Sequence, residues 1–447
     1  MSELITAMCS ADGRCPMNVN DVRIGTTTRG YQLAAPVALT RADLASHLHM
    51  IGGTGVGKTN LLRTLIYADL SHGRDFAVLD PLGGLAEAIV DAVPVERTER
   101  VVYWDPGAEL DRCINFNPLF QVPVDRRHLV ADGVVAAFMH IWNASLEETP
   151  RLTYWLYNAL RLLLDDEREG PTLLGLPKLL VNESYREFLL KQCRDPMVKS
   201  IWMNEYAGMD ERFRAVVVSP IQNKVGLLLS PPTLRNILGM HRPTLDLRRL
   251  MNGGGSIICN FAKGVLGQTG SKLLGALVAT AIAQVAEERT TVPPHQRRPF
   301  TMYTDELQNF VTPSFATTLS EARQLALSFV GAHQYLAQLP ENVQNSLIAN
   351  AGSKFVFRIS SDDARRLAHD LDIDNLSMLA GTSNHYAWCK LLRNGLPSDA
   401  LLVEMDEAEP PTRGRSHAVK RQSNAIHTRP RAIVEAAILR SITDTFS

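Results

Sequence analysis

Short apolar runs alternate with helical periodicity in two separate stretches of this chain. In the first, HLHMI (47–51) leads into GGTGVGKT and then NLLRTLIYADL, where Leu61, Leu62, Leu65, Ile66 and Leu70 fall on one helical face. Gly73 follows at a usual stop position. FAVLD (76–80) reads as a buried strand, LAEAIVDAV (85–93) as a helix and VVYWD (101–105) as another strand. Strand and helix in strict alternation predict a mainly parallel sheet with crossover helices, an α/β fold. The alternation stops at about 121. From there to 250 the pattern is amphipathic helix, as in Leu152, Trp155, Leu156, Ala159, Leu160 and Leu163. It resumes with SIICNF (256–261), a helix over 271–288, PFTMYTDE, a helix over 315–325, LSFVGAHQ (327–334) and KFVFRIS (354–360).

One sheet split in sequence by a helical insert accounts for this order. The expected units are a strand or hairpin segment over 1–46, a sheet domain over 47–120 and 251–405, an all-α insertion over 121–250, and a tail over 406–447. Within the first unit, residues 22–39 alternate apolar and polar positions around a Thr/Gly turn, as a hairpin does. The tail carries Arg413, Arg415, Lys420, Arg421, Arg429 and Arg431 with no acid between Glu409 and Glu435, and reads as a flexible solvated linker before one terminal helix, IVEAAILRSI.

Composition adds exclusions. Hydrophobic residues at 45% and charged residues at 21% fit an ordinary globular chain. Lys plus Arg (46) balance Asp plus Glu (47), so no global basic excess announces nucleic-acid binding and any DNA site is local. The six cysteines (Cys9, Cys15, Cys113, Cys193, Cys259, Cys389) have neither zinc-ribbon spacing nor disulfide-scaffold density, and free thiols in a cytoplasmic protein are expected. The first residues lack the pattern of a signal peptide, and the most apolar stretch, 273–286, is shorter than the about 18 residues of a spanning helix. No membrane span is expected, which leaves a cytoplasmic chain, at most peripheral to a membrane machine.

Gly52-Gly53-Thr54-Gly55-Val56-Gly57-Lys58-Thr59, followed by Asn60, matches G-x-x-x-x-G-K-[ST] in full and stands between a strand and a helix, where the pattern has its meaning. Glycines allow successive backbone N–H groups and the helix N-terminus to face a triphosphate; Lys58 is expected at the β and γ phosphates and Thr59 at Mg²⁺. ATP and Mg²⁺ are thus the expected substrate and cofactor. A strand ending in Asp305 and Glu306 then acquires roles, Asp305 at the metal and Glu306 as the group that deprotonates the attacking water. Asp80 competes for the metal, but its place after FAVL suits a turn or helix cap better. Hydrolysis also needs positive charge at the γ phosphate. Arg323 in SEARQLA is the first candidate and Arg358 in FVFRIS the second, while Gln334 ends a strand where the ligand crevice lies.

Several segments together resemble the HerA and FtsK superfamily of P-loop ATPases, and within it the coupling proteins of conjugative type IV secretion systems. They are HLHMIGGTGVGKTNLLRTLI, FAVLDPLGG, VVYWDPGAELDRCINFNPL, SPIQNKVGLLLS, NFAKGVLGQTGSKLLGALV, PFTMYTDELQNF, LSEARQLALSFVGAHQYLAQL and NAGSKFVFRISSDDARRLA. The likeness runs over roughly 22–400. It implies a RecA-like P-loop NTPase fold and a homo-hexameric ring that uses ATP to drive DNA through a central channel. Lys58, Thr59, Asp305 and Glu306 match the family's phosphate-loop, metal and catalytic positions, Arg323 its arginine finger and Gln334 its glutamine sensor. Relaxase, nuclease or secretion-system partners follow from the same likeness, as does the competing function of a nucleotide-gated adaptor that recruits them. Membrane-bound coupling proteins begin with transmembrane helices, and none is expected here. Backbone contacts to DNA would come from local lysines, for which Lys263 in FAKGVLGQTG and Lys224 in QNKVG, both in loop-like stretches, are the candidates.

Overall fold

A computed structural model of the chain describes residues 21–28, 34–108, 111–144, 147–167, 170–393 and 395–443. Eleven strands form one sheet. In chain order they are β1 (Val22–Thr27), β2 (Pro36–Leu39), β3 (Leu48–Ile51), β4 (Asp75–Asp80), β5 (Val101–Trp104), β6 (Ser256–Asn260), β7 (Phe300–Thr304), β8 (Leu327–His333), β9 (Ser353–Val356), β10 (Tyr386–Lys390) and β11 (Leu401–Met405). Their spatial order is β2-β1-β11-β10-β9-β3-β8-β7-β4-β6-β5. Every pair from β9 through to β5 is parallel. The pairs from β9 outward to β2 are antiparallel. The expected hairpin is the β1–β2 pair, with residues 29–33 of its connection outside the described residues.

The parallel strands read as unbroken apolar runs because both faces of the sheet are covered. Side chains alternate between the two faces: Phe76 and Val78 pack with Leu61, Leu65 and Ile89 on one, while Ala77 and Leu79 pack with Leu274 and Leu277 on the other. The first face carries α1 (Lys58–Ser71) and α2 (Gly84–Asp91). The second carries the helical segment, including α3 (Arg127–Ile141), α4 (Pro150–Leu163) and α5 (Glu211–Leu229). Behind these, α6 (Lys263–Glu287) lies against the sheet. Phe138, Leu156 and Leu160 join the same apolar core as Leu79 and Met302, so the helical segment and the sheet share one interior on this side. With the turn that follows it, α6 is long and apolar enough to cross a membrane by length and composition, in contrast to the sequence expectation; 72% of its apolar window is buried inside the protein. Cys113, Cys193, Cys259 and Cys389 are free, and Cys9 and Cys15 lie outside the described residues.

The tail is not a solvated linker. A short helix, α7 (Phe315–Ala322), precedes β8, and after β11 two helices, α8 (Ser416–His427) and α9 (Arg431–Thr443), are folded onto the body. The Asp91 carboxylate accepts the amides of Gly414 (2.9 Å) and Ser416 (3.2 Å). Lys420 pairs with Glu87 at 2.7 Å and lies 4.7 Å from the centre of the Tyr103 ring. Ser423 bridges the Tyr103 amide and carbonyl, and Arg112 donates to Thr428 (2.7 Å). At the far end, Asn236 of the helical segment donates to Glu435 (3.2 Å). Of the basic residues of the tail, Lys420 and Arg415 bond to Glu87 and Thr98 of the body, Arg429 donates to the Arg242 carbonyl, and Arg431 pairs with Glu435 within the tail.

Candidate active site

Parallel pairing places the C-terminal ends of β3, β8, β7 and β4 side by side on one edge, the edge where ligands of open α/β sheets bind. The phosphate loop leaves β3 there. Gly52 donates its N–H to the His333 carbonyl (3.2 Å) and Gly53 to the Arg358 carbonyl (2.9 Å), which pins the loop between β8 and β9. A Cβ at Gly52 would stand 2.6 Å from that of Phe357, and Gly57 has φ 121°, so neither position accepts a side chain without strain. Lys58 opens α1 and donates its ammonium to the carbonyls of Gly52 (2.6 Å) and Gly53 (2.7 Å). Burial lowers the Lys58 pKa, opposed by the nearby charges of Asp305 and Glu306.

Thr59 and Asp305 meet. The Thr59 hydroxyl donates to Asp305 Oδ2 at 3.0 Å across the gap between α1 and the end of β7. Burial pushes the Asp305 carboxyl up to about 6, with Asp80 and Glu306 adding to the shift and the Thr59 hydroxyl and Lys58 opposing it. A hydroxyl and a carboxylate are hard oxygen donors, the set that suits Mg²⁺, an ion that keeps few protein ligands and completes its shell with water and phosphate. Among the described residues no three His, Cys, Asp or Glu groups cluster as a metal cage, so a two-ligand site is the one this chain offers. Asp80 takes the other role foreseen for it: its carboxylate accepts the amides of Leu82 and Ala86, both at 2.9 Å, capping α2.

Glu306 has φ 52° and ψ 56°, a left-handed conformation unusual for a side-chain-bearing residue and costing roughly 1–2 kcal/mol. The turn is over-determined by its bonds: Glu306 N–H to Asp305 Oδ1 (3.0 Å), and Asn309 Nδ2 to the Glu306 carbonyl (2.8 Å). Gln334, at the end of β8, donates to Glu306 Oε1 at 2.8 Å. Gln308 donates to Oε2 at 2.6 Å. Five of the residues singled out from sequence, Lys58, Thr59, Asp305, Glu306 and Gln334, thus converge on one edge; the role of Gln308 was not legible there.

Four others are placed differently. Asn60 turns its amide away from the loop, donating to the Asp406 carbonyl (2.7 Å) and accepting from the Ala408 amide (3.0 Å). Lys224 lies in α5 rather than a loop, its ammonium 4.9 Å from the centre of the Trp142 ring. Lys263 begins α6, which kinks at Gly267 (φ 70°), so FAKGVLGQTG is mostly helical. Arg323 follows α7 and is exposed, at the start of β8 rather than its end. It borders a cleft of about 460 Å³ together with His47, Lys354 and Asp370, on the edge opposite the phosphate loop. The seven residues of β8 separate Arg323 from Gln334 by about 20 Å. Arg358, by contrast, sits beside its own phosphate loop.

Buried histidines lie along β3 and β8, His49 and His333 within the sheet and His47 at the opposite end of β3 from the phosphate loop. His49 on β3 and His333 on β8 stack at 4.9 Å, Nε2 to Nε2 at 2.7 Å. His47 accepts the Phe329 amide at Nδ1 and meets the Leu319 carbonyl at Nε2, so it is neutral with its proton on Nε2. Burial lowers both His47 and His333 to about 4. An unfolded histidine takes its proton near 6.5, so between pH 6.5 and 4 the unfolded chain binds more protons and stability falls as pH falls. Each shift corresponds to roughly 3 kcal/mol at the acid end. Asp305 runs the other way, since its raised folded pKa favours the folded state as pH drops through about 6, and it offsets part of the loss. Urea unfolding of the nucleotide-free protein is expected to show stability decreasing from pH 6.5 to 4.5, with a shallower slope in His47→Gln; an equal slope would contradict the assignment.

No family model matches the sequence, and no curated protein does. Solved structures match. The bacterial conjugative coupling protein TrwB is 15% identical and superimposes with a TM-score of 0.60 over 84% of this chain and 89% of that one. The chain has the RecA-like P-loop ATPase fold. The plasmid coupling protein TrwB in complex with ADP and Mg²⁺ gives 0.62 at 16% identity, over 90% of this chain and 98% of that one. VirB4 of Thermoanaerobacter pseudethanolicus gives 0.55 at 12% identity, over 88% and 98%. A RecA-like P-loop ATPase fold is thereby established, and in it Asp305 and Glu306 stand one strand away from β3, with β8 and Gln334 between them.

Proposed function

We propose that this chain is an ATP-hydrolysing motor subunit of a homo-hexameric ring that moves DNA, in conjugative transfer or the processing of a mobile element. The observation that carries the hydrolytic part is the meeting of Thr59, Asp305, Glu306 and Gln334 at one edge within hydrogen-bond distances of 2.8 to 3.0 Å. ATP is the substrate, its phosphates received by the N–H groups of 52–59 and by Lys58, whose ammonium moves from the loop carbonyls to the phosphates. Thr59 and Asp305 would hold Mg²⁺, which would supply positive charge to the phosphate oxygens. Glu306 accepts the proton of the attacking water, and Gln334 reports the γ phosphate to it. A bare binding module has no use for a strained, doubly hydrogen-bonded carboxylate beside the metal position. The complexes of TrwB with ADP and Mg²⁺ and with an ATP analogue support the choice of ligand.

Arg323 stands about 20 Å from its own phosphate loop by strand length, so its proposed target is the nucleotide of a neighbouring subunit. DNA is proposed as the partner from the likeness to coupling proteins, held through backbone phosphates; Lys263, at the same edge as the nucleotide and half-exposed, stays a candidate contact, whereas Lys224 is engaged with Trp142. Relaxases, nucleases or secretion components are the partner class of such a ring. The deciding experiment is ATP turnover with and without DNA. Turnover is expected to rise several-fold with DNA and to lose that rise at high salt, as phosphate contacts weaken. Turnover that ignores DNA at every salt concentration would remove the translocation reading and leave an adaptor whose nucleotide controls assembly.

A further inference from the structure

Both oxygens of the Glu306 carboxylate are occupied by amide donors, Oε1 by Gln334 (2.8 Å) and Oε2 by Gln308 (2.6 Å). Each carboxylate oxygen has two lone pairs, so one on each remains to take a proton while the two amides fix the plane of the group. The two amides are not equivalent. Gln308 belongs to the short turn Leu307–Asn309, whose flanks Leu307 and Phe310 are fully buried. Its own Oε1 is buried with no hydrogen-bond partner among the described residues, so the side chain is held by its bond to Glu306 alone. Losing that bond would leave both ends of the amide unpaired, one of them buried, the costly case for a polar group. Gln334, partly exposed like Gln308, sits at a strand end and is followed by Tyr335, which is 48% exposed.

We propose that Gln308 is the positioning residue of Glu306: its amide holds Oε2 and so aims the free lone pairs of the carboxylate at the attacking water, while Gln334 holds Oε1. This rests on Glu306 being the base. The charged and titratable groups around the carboxylate are Asp305, Lys58 and His333, none of which donates to it in the structure. Orientation of the base is thus assigned to two neutral amides. A charge-assisted N–H to a carboxylate is roughly twice as strong as a neutral bond, enough to hold one rotamer of a side chain whose backbone is itself constrained.

The test uses the full chain in its assembled form. Gln308→Met keeps length, removes the donor and also removes the unpaired Oε1, so folding is expected to survive; Gln308→Leu serves as a second variant, with thermal unfolding of both recorded. The expected result is a kcat lowered by about 10- to 100-fold with KM and nucleotide affinity within about 2-fold of wild type. In a Glu306→Gln background, Gln308→Met is expected to change the residual rate by less than about 2-fold, because no carboxylate remains to be oriented. Equal losses in both backgrounds would mean a merely structural role and overturn the proposal. Loss of turnover in Glu306→Gln with wild-type turnover in Gln308→Met overturns this proposal alone. Wild-type turnover in Glu306→Gln overturns the base assignment and this proposal with it.

Discussion

Glu306→Gln is expected to reduce ATP turnover by about 10² to 10⁴ while leaving nucleotide binding close to wild type. In barrier terms that is roughly 3 to 5 kcal/mol, at 1.36 kcal/mol per tenfold. The substitution removes a charge and a proton acceptor and leaves the volume unchanged. Its surroundings can absorb the new amide: Gln308, whose Oε1 lacks a partner, need only turn its own amide over to accept from the NH₂ placed at 306. Lys58, Thr59 and Asp305, which are assigned to the phosphates and the metal, are untouched, so binding measured with a fluorescent nucleotide is expected to persist. Single-turnover hydrolysis is the measurement that checks the prediction, since it isolates the chemical step from product release. Unchanged single-turnover rates would transfer the base to another group.

How far these assignments were legible in sequence depends on whether the deciding force is local. The strands from β3 to β9 were legible because burial on both faces leaves continuous apolar runs, and the phosphate loop because its glycines answer a backbone requirement within eight residues. Asp80 as a cap was legible for the same reason, its partners being two and six residues away. The antiparallel extension by β10 and β11 was not, because these strands owe their place to pairing across the sheet. Lys224 was assigned to a loop on the strength of its Gly and Asn neighbours; tertiary packing keeps Pro220 and Gly226 inside one helix all the same. The tail looked solvated because its own stretch holds no acids, yet Glu87 and Asp91 wait for it more than 320 residues upstream. Gln308 had no motif to announce it, since its only signal is where its amide points once the turn at Glu306 is formed.

Arg323→Ala is expected to cost about 10³ to 10⁵ in turnover, the range for removing an arginine finger, and the loss is expected to be repairable by a different subunit. The argument is geometric. Within one chain Arg323 and the phosphate loop lie at opposite ends of the parallel strands, about 20 Å apart along β8, whereas an arginine side chain reaches only about 6 to 7 Å. A chain bearing Arg323→Ala keeps an intact phosphate loop; a chain bearing Lys58→Ala keeps an intact Arg323. Each alone is expected to assemble and be inactive. Mixed in equal amounts and reassembled, they bring an intact loop against an intact arginine in about a quarter of the sites if subunits combine at random in a head-to-tail ring. Turnover should therefore reappear on mixing, to a fraction of wild type set by that count. Arg358→Ala supplies the contrast, because Arg358 flanks the loop of its own chain and any contribution it makes would be lost in every site that its chain's loop forms. No recovery from mixed rings shown by mass to contain both chains would place the finger elsewhere and return Arg323 to the role of a surface charge beside His47.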